Sequence, residues 1–506
     1  MRRNSPLILS MAFTLVAGLP AAGCAKKDTA AVPVAEVGTP VPAGDGKIPI
    51  TTASADAKAE FLQGRDLAEK LQVTDAYQHY QKAASLDPHF AWAELSIAAS
   101  APTGKEFFEH LNKAVALADK ASNGERLLIL AAQSGANNDA VKQKEHLEGL
   151  VAAYPNDERA HFNLGGFYFG QQDYPKAIEH YRKATELAPA YSTAFNILGY
   201  AYRQSGDYAN AEKAFQKYIE LIPKDPNPYD SYAELLLKIG RYDESIAQYR
   251  KALAIEPNFV NAHQGIAMDL LYSGKPDQAV AELAELSKKA RNDGEKRTAM
   301  FARTIVYLDG GNLAKAAADV DAQYALGKTT NDVPAMAFDR GLKGNILLAM
   351  GKADAAKTEF DEGVKLVEGS TLSAEVKENA KLAHHYNLAR VALAKKDVAG
   401  AKKEAEEFRK GSASSKNPFQ VKNVHELDGI VALAEKDYDK AIAELEQANQ
   451  QNPQDLYRLC QAWQGKGDQA KGADFCRQAA EFNSLPNQNY AFVRTKAKAG
   501  AGKKAV

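Results

Sequence analysis

The strongest constraint on this chain is a phrase repeated three times, without insertion, between His161 and Pro257. The copies read HFNLGGFYFGQQDYPKAIEHYRKATELAP, FNILGYAYRQSGDYANAEKAFQKYIELIP and YDSYAELLLKIGRYDESIAQYRKALAIEP. Pro189, Pro223 and Pro257 close them at intervals of 34 residues. A fixed period of this length denotes a solenoid, whose units bury their apolar faces by stacking on one another. Each copy reads as two helices. Leu164, Gly165 and Tyr168 share a face of the first, GQQDY interrupts it, and Ala177, Tyr181 and Ala184 line the second. The next copy repeats this with Leu198, Gly199 and Tyr202, then Ala211, Phe215 and Tyr218. Gly165 and Ala177 let the helix axes approach closely, and the aromatics fill the space between hairpins. The prolines lack an N–H and disfavour a helical residue before them, so they end the second helix.

At these residues the chain resembles the tetratricopeptide repeat family: a large residue, Leu-Gly, an aromatic, Ala, an aromatic, Ala and a terminal Pro. The first copy matches throughout. In the second, Tyr218 replaces the last small residue; in the third, Tyr232-Ala233 replaces Leu-Gly and Ser245 replaces Ala. The resemblance implies an all-α fold, a right-handed α-solenoid of about twelve antiparallel helix hairpins forming a tetratricopeptide superhelix. It implies little about function, because such surfaces serve unrelated partners. The repeat region from Glu125 to Pro276 also resembles repeats attached to bacterial serine/threonine kinases and transcriptional activators. That resemblance implies a sensing or docking module without its catalytic half, since no kinase motif accompanies it.

The expected organisation is a signal peptide over 1–23, a flexible tether over 24–57, partly degenerate hairpins over 58–157 and regular repeats over 158–293. Further hairpins follow over 294–490, then a basic disordered tail over 491–506. Thr329–Ala335 and Glu368–Glu378 read as longer surface connections. Arg2 and Arg3 precede an apolar run from Pro6 to Leu19 that is short for a membrane span. The run ends in AAGC, which resembles a bacterial lipoprotein processing site and implies a lipidated Cys24. Ala21 stands where that family usually has Leu, so ordinary signal-peptidase cleavage remains the alternative. Ala25 and Lys26 resemble outer-membrane sorting in enterobacterial lipoproteins. The expected location is the cell envelope, as an outer-membrane lipoprotein facing the periplasm, with a secreted periplasmic form as the alternative.

The net charge of −1 hides an uneven distribution: +2 over residues 1–23 and +5 over 493–506, so the body between is acidic. That argues against a nucleic-acid groove. His161, His263, His385 and His425 occupy one equivalent place, four residues before the small residue of the first helix. They recur because the repeat recurs and lie too far apart along the array for one zinc site. GKTT at Gly327–Thr330 lacks the earlier glycine of a phosphate loop, since position 322 is Ala322. No metal, cofactor, small-molecule substrate or catalytic arrangement is expected, and the chain reads as a non-enzyme.

The first helices of such an array line its concave surface. Their free stripe in the first copy is Arg159, Phe162, Gly166 and Phe169. It continues as Thr193, Asn196, Tyr200 and Arg203; then Asn227, Asp230, Glu234 and Leu237; then Asn261, Gln264, Met268 and Leu271. This mixture suits an extended peptide or a partner helix. Phe162/Gly166 and Asn196/Tyr200 replace the Lys and Asn with which some family members clamp a terminal carboxylate. In repeat register, Cys460 takes the small place of its first helix and Cys476 the aromatic place of its second, so an exported chain is expected to form a disulfide there. The leading expectation is a lipid-anchored envelope scaffold or adaptor binding a protein or peptide partner in the concave groove. The alternative is a structural lipoprotein subunit of an envelope assembly or secretion machine, acting through its convex face.

Overall fold

A computed structural model describes residues 46–502, apart from 103, 138, 373, 414–417 and 489–490. The expected signal peptide and Cys24 therefore lie outside the described residues. Among the described residues the regular structure is helical, with no strand. The chain divides into two compact units, Met1–Pro223 and Lys224–Val506.

The first unit stacks five hairpins: α1 (Ala55–Glu69) with α2 (Val73–Leu86), α3 (Ala91–Ser100) with α4 (Gly104–Leu117), α5 (Asn123–Ala136) with α6 (Ala140–Ala153), α7 (Glu158–Gly170) with α8 (Tyr174–Leu187), and α9 (Ser192–Ser205) with α10 (Tyr208–Leu221). The second unit stacks seven. They are α11 (Asn227–Lys238) with α12 (Tyr242–Ile255), α13 (Val260–Tyr272) with α14 (Pro276–Lys289), α15 (Asp293–Asp309) with α16 (Leu313–Thr329), and α17 (Val333–Ala349) with α18 (Ala353–Glu368). The last three are α19 (Ala374–Ala394) with α20 (Val398–Ser412), α21 (Pro418–Glu435) with α22 (Tyr438–Leu445), and α23 (Pro453–Lys466) with α24 (Gln469–Ala480), followed by α25 (Arg494–Ala501). Each unit is an α-solenoid.

Most hairpin turns share a feature: a residue with positive φ ends the first helix. In several an Asp or Asn then caps the second, whereas Gln72, Arg241, Lys275 and Lys352 stand at that place without a side-chain cap. Gly206 (φ 84°) precedes Asp207, whose side chain accepts from the Asn210 N–H. Gly467 (φ 102°) precedes Asp468, which accepts from Lys471 N–H. The cap satisfies a donor at the helix start that has no intrahelical partner.

Two fixed offsets recur within the hairpins. The small residue of the first helix meets the side chain 16 positions later. A Cβ on Gly165 would lie 2.9 Å from the Tyr181 ring, one on Gly199 2.7 Å from Phe215, and one on Gly344 2.4 Å from Phe360. In the last hairpin this pair is Cys460 and Cys476, which the structure joins by a disulfide with Cα atoms 5.1 Å apart. The second offset is 19 and polar. His385 Nδ1 lies 2.7 Å from Glu404 Oε2, His425 Nδ1 2.7 Å from Glu444 Oε2, and His263 pairs likewise with Glu282. The histidines that recur in the sequence therefore pin one helix of a hairpin to the other. Among the described residues no group of three or more His, Cys, Asp or Glu is placed to hold a metal ion, and no helix is long and apolar enough to cross a membrane.

The structure departs from the expected organisation at both ends. The expected tether includes 46–57, yet Ala55 already opens α1, and the residues before it are docked on the first unit. Ile48 is buried, its N–H donates to Asp157 Oδ2 at 2.9 Å, and Thr51 N–H donates to Glu125 Oε1 at 2.9 Å. The Lys47 ammonium pairs with Glu158. Composition misread this stretch because its partners lie 74 to 111 residues away. The expected disordered tail is also ordered in part: Arg494–Ala501 is helical and Arg494 is paired. The expected connection Thr329–Ala335 is short, because α16 runs to Thr329 and α18's partner α17 begins at Val333.

Candidate functional site

The sequence-predicted stripe falls in both units. In the first unit much of it is already engaged. Arg159 pairs with Glu158 and with Glu69 at the end of α1, and its guanidinium stands 5.6 Å from the Tyr191 ring. Ser192 and Thr193 donate hydroxyl hydrogen bonds to the Glu69 carbonyl. The turn after α1 thus covers the start of α7 and α9. Asn196 is buried, with its Oδ1 lacking a hydrogen-bond partner. Phe162 packs on Tyr181 and Tyr191, Phe169 on Tyr174, and Tyr200 on Phe215 with Arg203 stacked 4.8 Å over it. These four remain half-exposed.

In the second unit, Asp230 and Met268 are buried, Met268 completely. With Asn196 they are corrections to the expected stripe, because neighbouring helices cover them and no partner could reach them. Burial, and secondarily the charge of Glu234, pushes the Asp230 carboxyl well above its usual range, while Asn261 hydrogen-bonds it. Asn227, Glu234, Asn261 and Gln264 are half-buried.

The open concavity lies further along the second unit. It is a cavity of about 940 Å³, within the range that binds ligands. Its lining repeats the register of the predicted stripe, counted from the small residue of each first helix. Helix α17, whose small residue is Gly344, contributes Phe338, Gly341, Asn345 and Leu348. Helix α19, with Ala389, contributes Ala383, Tyr386, Arg390 and Leu393. Helix α21, with Gly429, contributes Asn423, Glu426 and Ile430. Helix α23, with Cys460, contributes Gln454, Tyr457 and Gln461. Those places stand six and three residues before the small residue and one and four after it. The same places in the first copy are Arg159, Phe162, Gly166 and Phe169. Carrying the offset past Met268 finds this cavity from sequence alone.

A charged network fixes one wall. Tyr386 Oη donates to Glu426 Oε1 at 2.7 Å. Arg458 donates to the same carboxylate and, at 2.7 Å, to Asp455 Oδ1. Burial and the neighbouring Glu426 push the Asp455 carboxyl upward. Burial opposes the Arg458 charge, but Glu426 and Asp455 outweigh it and hold the guanidinium charged. Another part of the lining comes from the segment after α24, which supplies Gln488, Phe492, Val493 and Lys496. That segment is tied down by Arg494, which donates to Asp309 Oδ2 at 3.0 Å and stacks 3.9 Å from the Tyr272 ring. Tyr272 Oη in turn donates to Ser484 O at 2.9 Å. The far end of the second unit is thereby clasped to α13 and α15.

The tetratricopeptide repeat family matches residues 144–192, 168–226 and 265–329, and a second repeat family of the same type matches 233–267. This chain contains tetratricopeptide repeats. No curated protein matches it. Among solved structures it is similar to a tetratricopeptide repeat protein from Parabacteroides merdae, at 19% identity over 51% of this chain and 98% of that one, with a TM-score of 0.38. It is also similar to a MamA protein, at 23% identity over 33% of this chain and 91% of that one, with a TM-score of 0.30. A thermophilic TPR protein of Thermus thermophilus gives 19% identity over 42% and 99%, with a TM-score of 0.29. Stacked tetratricopeptide repeats present extended concave surfaces, which typically bind other proteins.

Proposed function

We propose that the chain is an interaction scaffold of the bacterial cell envelope, tethered through a lipidated Cys24, that holds a protein partner in the cavity of its second unit. One observation carries the binding part: four consecutive first helices turn the same register places onto one cavity of about 940 Å³, all four places from α17 and α19 and three of the four from α21 and α23. A surface kept in register over four repeats suits a partner that is itself extended. The sequence before Cys24 supports the tether, with its apolar run and small residues ahead of the cysteine. The repeat fold supports a scaffold in preference to a catalyst.

The test fills the cavity. Asn387→Trp and Gln461→Trp place large rings on two of its walls. Proteins cross-linked to the wild-type chain in envelope preparations, and lost from both variants with helicity unchanged, would support the cavity. Retention of the same partner by both variants would sink it. The tether is tested separately: Cys24→Ser should move the chain out of the membrane fraction, and a wild-type chain found wholly in the soluble fraction would refute anchoring.

A further inference from the structure

The cavity walls carry more positive charge than they neutralise. Their charged side chains are Arg390, Arg458, Lys496 and Glu426. Arg458 is committed to Glu426 and also to Asp455, whose carboxyl burial pushes up to about 7, so that cluster leaves no positive charge to spare. Arg390 has no carboxylate partner: its Nη1 donates to the neutral Asn345 Oδ1 at 2.8 Å, and its guanidinium lies 5.6 Å from the Tyr386 ring. Lys496 makes no ion pair among the described residues and is exposed. Two cations thus face the cavity of a chain whose net charge is −1 and whose body is acidic. Concave walls of low polarisability focus such a field.

The remaining wall chemistry narrows the occupant. Gln420 Oε1 and Gln488 Oε1 are buried without a hydrogen-bond partner. Buried polar atoms left unpaired are costly and rare. Both residues line this cavity. Asn387 and Asn423 add side-chain amides with no hydrogen bond of their own among the described residues. Each amide offers a donor and an acceptor, the two groups that every peptide unit of an extended chain presents. A free inorganic anion would answer Arg390 and Lys496 but leave the amides unpaired.

We infer that the occupant of this cavity is an extended, acidic segment of a partner protein, its main chain met by the amide side chains and its carboxylates by Arg390 and Lys496. This rests on the reading of the cavity as the binding site. It adds the partner's chemistry. Side-chain carboxylates are meant, so the segment needs no free C-terminus.

The probe is an octapeptide of alternating Glu and Ala, acetylated and amidated at its ends and fluorescently labelled, titrated into the full chain. Its counterpart has Gln in place of every Glu. The Glu peptide is expected to bind at least about tenfold more tightly, with the advantage shrinking as ionic strength rises. Arg390→Gln and Lys496→Gln should each reduce that advantage severalfold, and the double variant should abolish it. Lys496 is exposed, so its variant is not expected to disturb folding. Equal affinity for the two peptides would overturn the inference while leaving a peptide site in place. A preference surviving in the double variant would overturn it too. So would failure of both peptides to bind, and if the cross-linked partner were still lost from the Trp-filled variants, only the acidic-segment inference would fall.

Discussion

His161 and His180 face one another across the α7/α8 hairpin with their Nδ1 atoms 3.1 Å apart, at the place where other hairpins set a histidine against a glutamate. His161 Nε2 also lies 3.0 Å from the Pro155 carbonyl, which can only accept, so Nε2 carries a proton. A neutral pair then needs His180 Nδ1–H to donate to His161 Nδ1. Protonating both rings leaves two donors facing each other. Burial first, and the neighbouring His161 second, hold the His180 imidazole below its ordinary 6.5. The unfolded chain therefore takes up this proton before the folded one. The stabilisation is present above pH 6.5 and is lost as pH falls below it through the lower folded-state value of His180. The first unit should soften in mild acid. Trp92 lies in this unit and Trp463 in the other, so Trp92 fluorescence in a Trp463→Phe background reads the unit alone. His180→Glu should remove much of the acid loss; an unchanged pH profile would show that the pair does not titrate with folding.

Asp269 presents the opposite sign. It is fully buried on α13, and neither carboxylate oxygen has a hydrogen-bond partner. The nearby Ser245 hydroxyl is spent on the Ala233 carbonyl, 2.9 Å away. Burial pushes the Asp269 carboxyl up to about 8. Between its ordinary 3.8 and about 8, the unfolded chain ionises while the folded chain does not, so stability falls as pH rises across that window. Asp269→Asn should raise the stability of the second unit at pH 8 by on the order of 2–4 kcal/mol, and by little at pH 4. Chemical denaturation followed at Trp463 measures both.

Much of this architecture was legible because it is periodic. The 34-residue interval, the Gly165–Tyr181 type of contact and the recurrent histidines all follow from one unit repeated. The cavity was legible in the same way, since Tyr386, Asn423 and Tyr457 occupy places equivalent to Phe162, Arg159 and Phe162 again. Stopping the register at Met268 missed it. The closures could not be read. Glu69 meets Thr193 across 124 positions and Ser484 meets Tyr272 across 212, and neither pairing has a periodic signature. The burial of Asn196, Asp230 and Met268 was hidden for a related reason: a helical wheel places a residue on a face but does not say what covers that face.

The hairpin turns carry a correctable local cost. Gly206 and Gly467 adopt positive φ freely, but Gln172, Lys396 and Lys436 stand at the same place with φ of 61°, 65° and 63°. Residues with a Cβ pay sterically there. Lys436→Gly should stabilise the second unit by about 0.5–1 kcal/mol, the steric relief being partly offset by the entropy of glycine in the unfolded chain. A lower denaturation midpoint for this variant would contradict the shared-turn account.

The clasp at Arg494 can be broken from either side. Its guanidinium also donates to the carbonyls of Ala480 and Phe482, at 2.7 and 2.9 Å. Burial holds the Asp309 carboxyl above its usual range even with Arg494 beside it. Arg494→Ala strands that carboxyl and should cost about 3 kcal/mol. Asp309→Leu with Arg494→Leu removes both charges and should recover a good part of the loss. If the double variant were as unstable as the single one, the hydrogen bonds to Ala480 and Phe482, not the ion pair, would be what holds the segment.

The Cys460–Cys476 bridge underlies the same segment. It occupies the offset where other hairpins bring glycine against an aromatic ring, and both cysteines are fully buried. Helix α25 rests on it: a Cβ at Gly500 would come within 2.3 Å of Cys476 Sγ, and Gln464 Nε2 donates to Gly500 O at 3.2 Å. Losing the bridge should therefore loosen the last hairpin and, with it, the wall that carries Lys496. A closed loop of about 15 residues is worth around 3 kcal/mol when the native geometry is undistorted. Cys460→Ala with Cys476→Ala should lower the Trp463-monitored stability by about that amount and leave the Trp92 transition where it was. In a Cys24→Ser background, the denatured, unreduced chain should titrate no free thiol. Two thiols would mean that the bridge does not form in the cell, and the terminal hairpin would then owe its stability to packing under α25 alone.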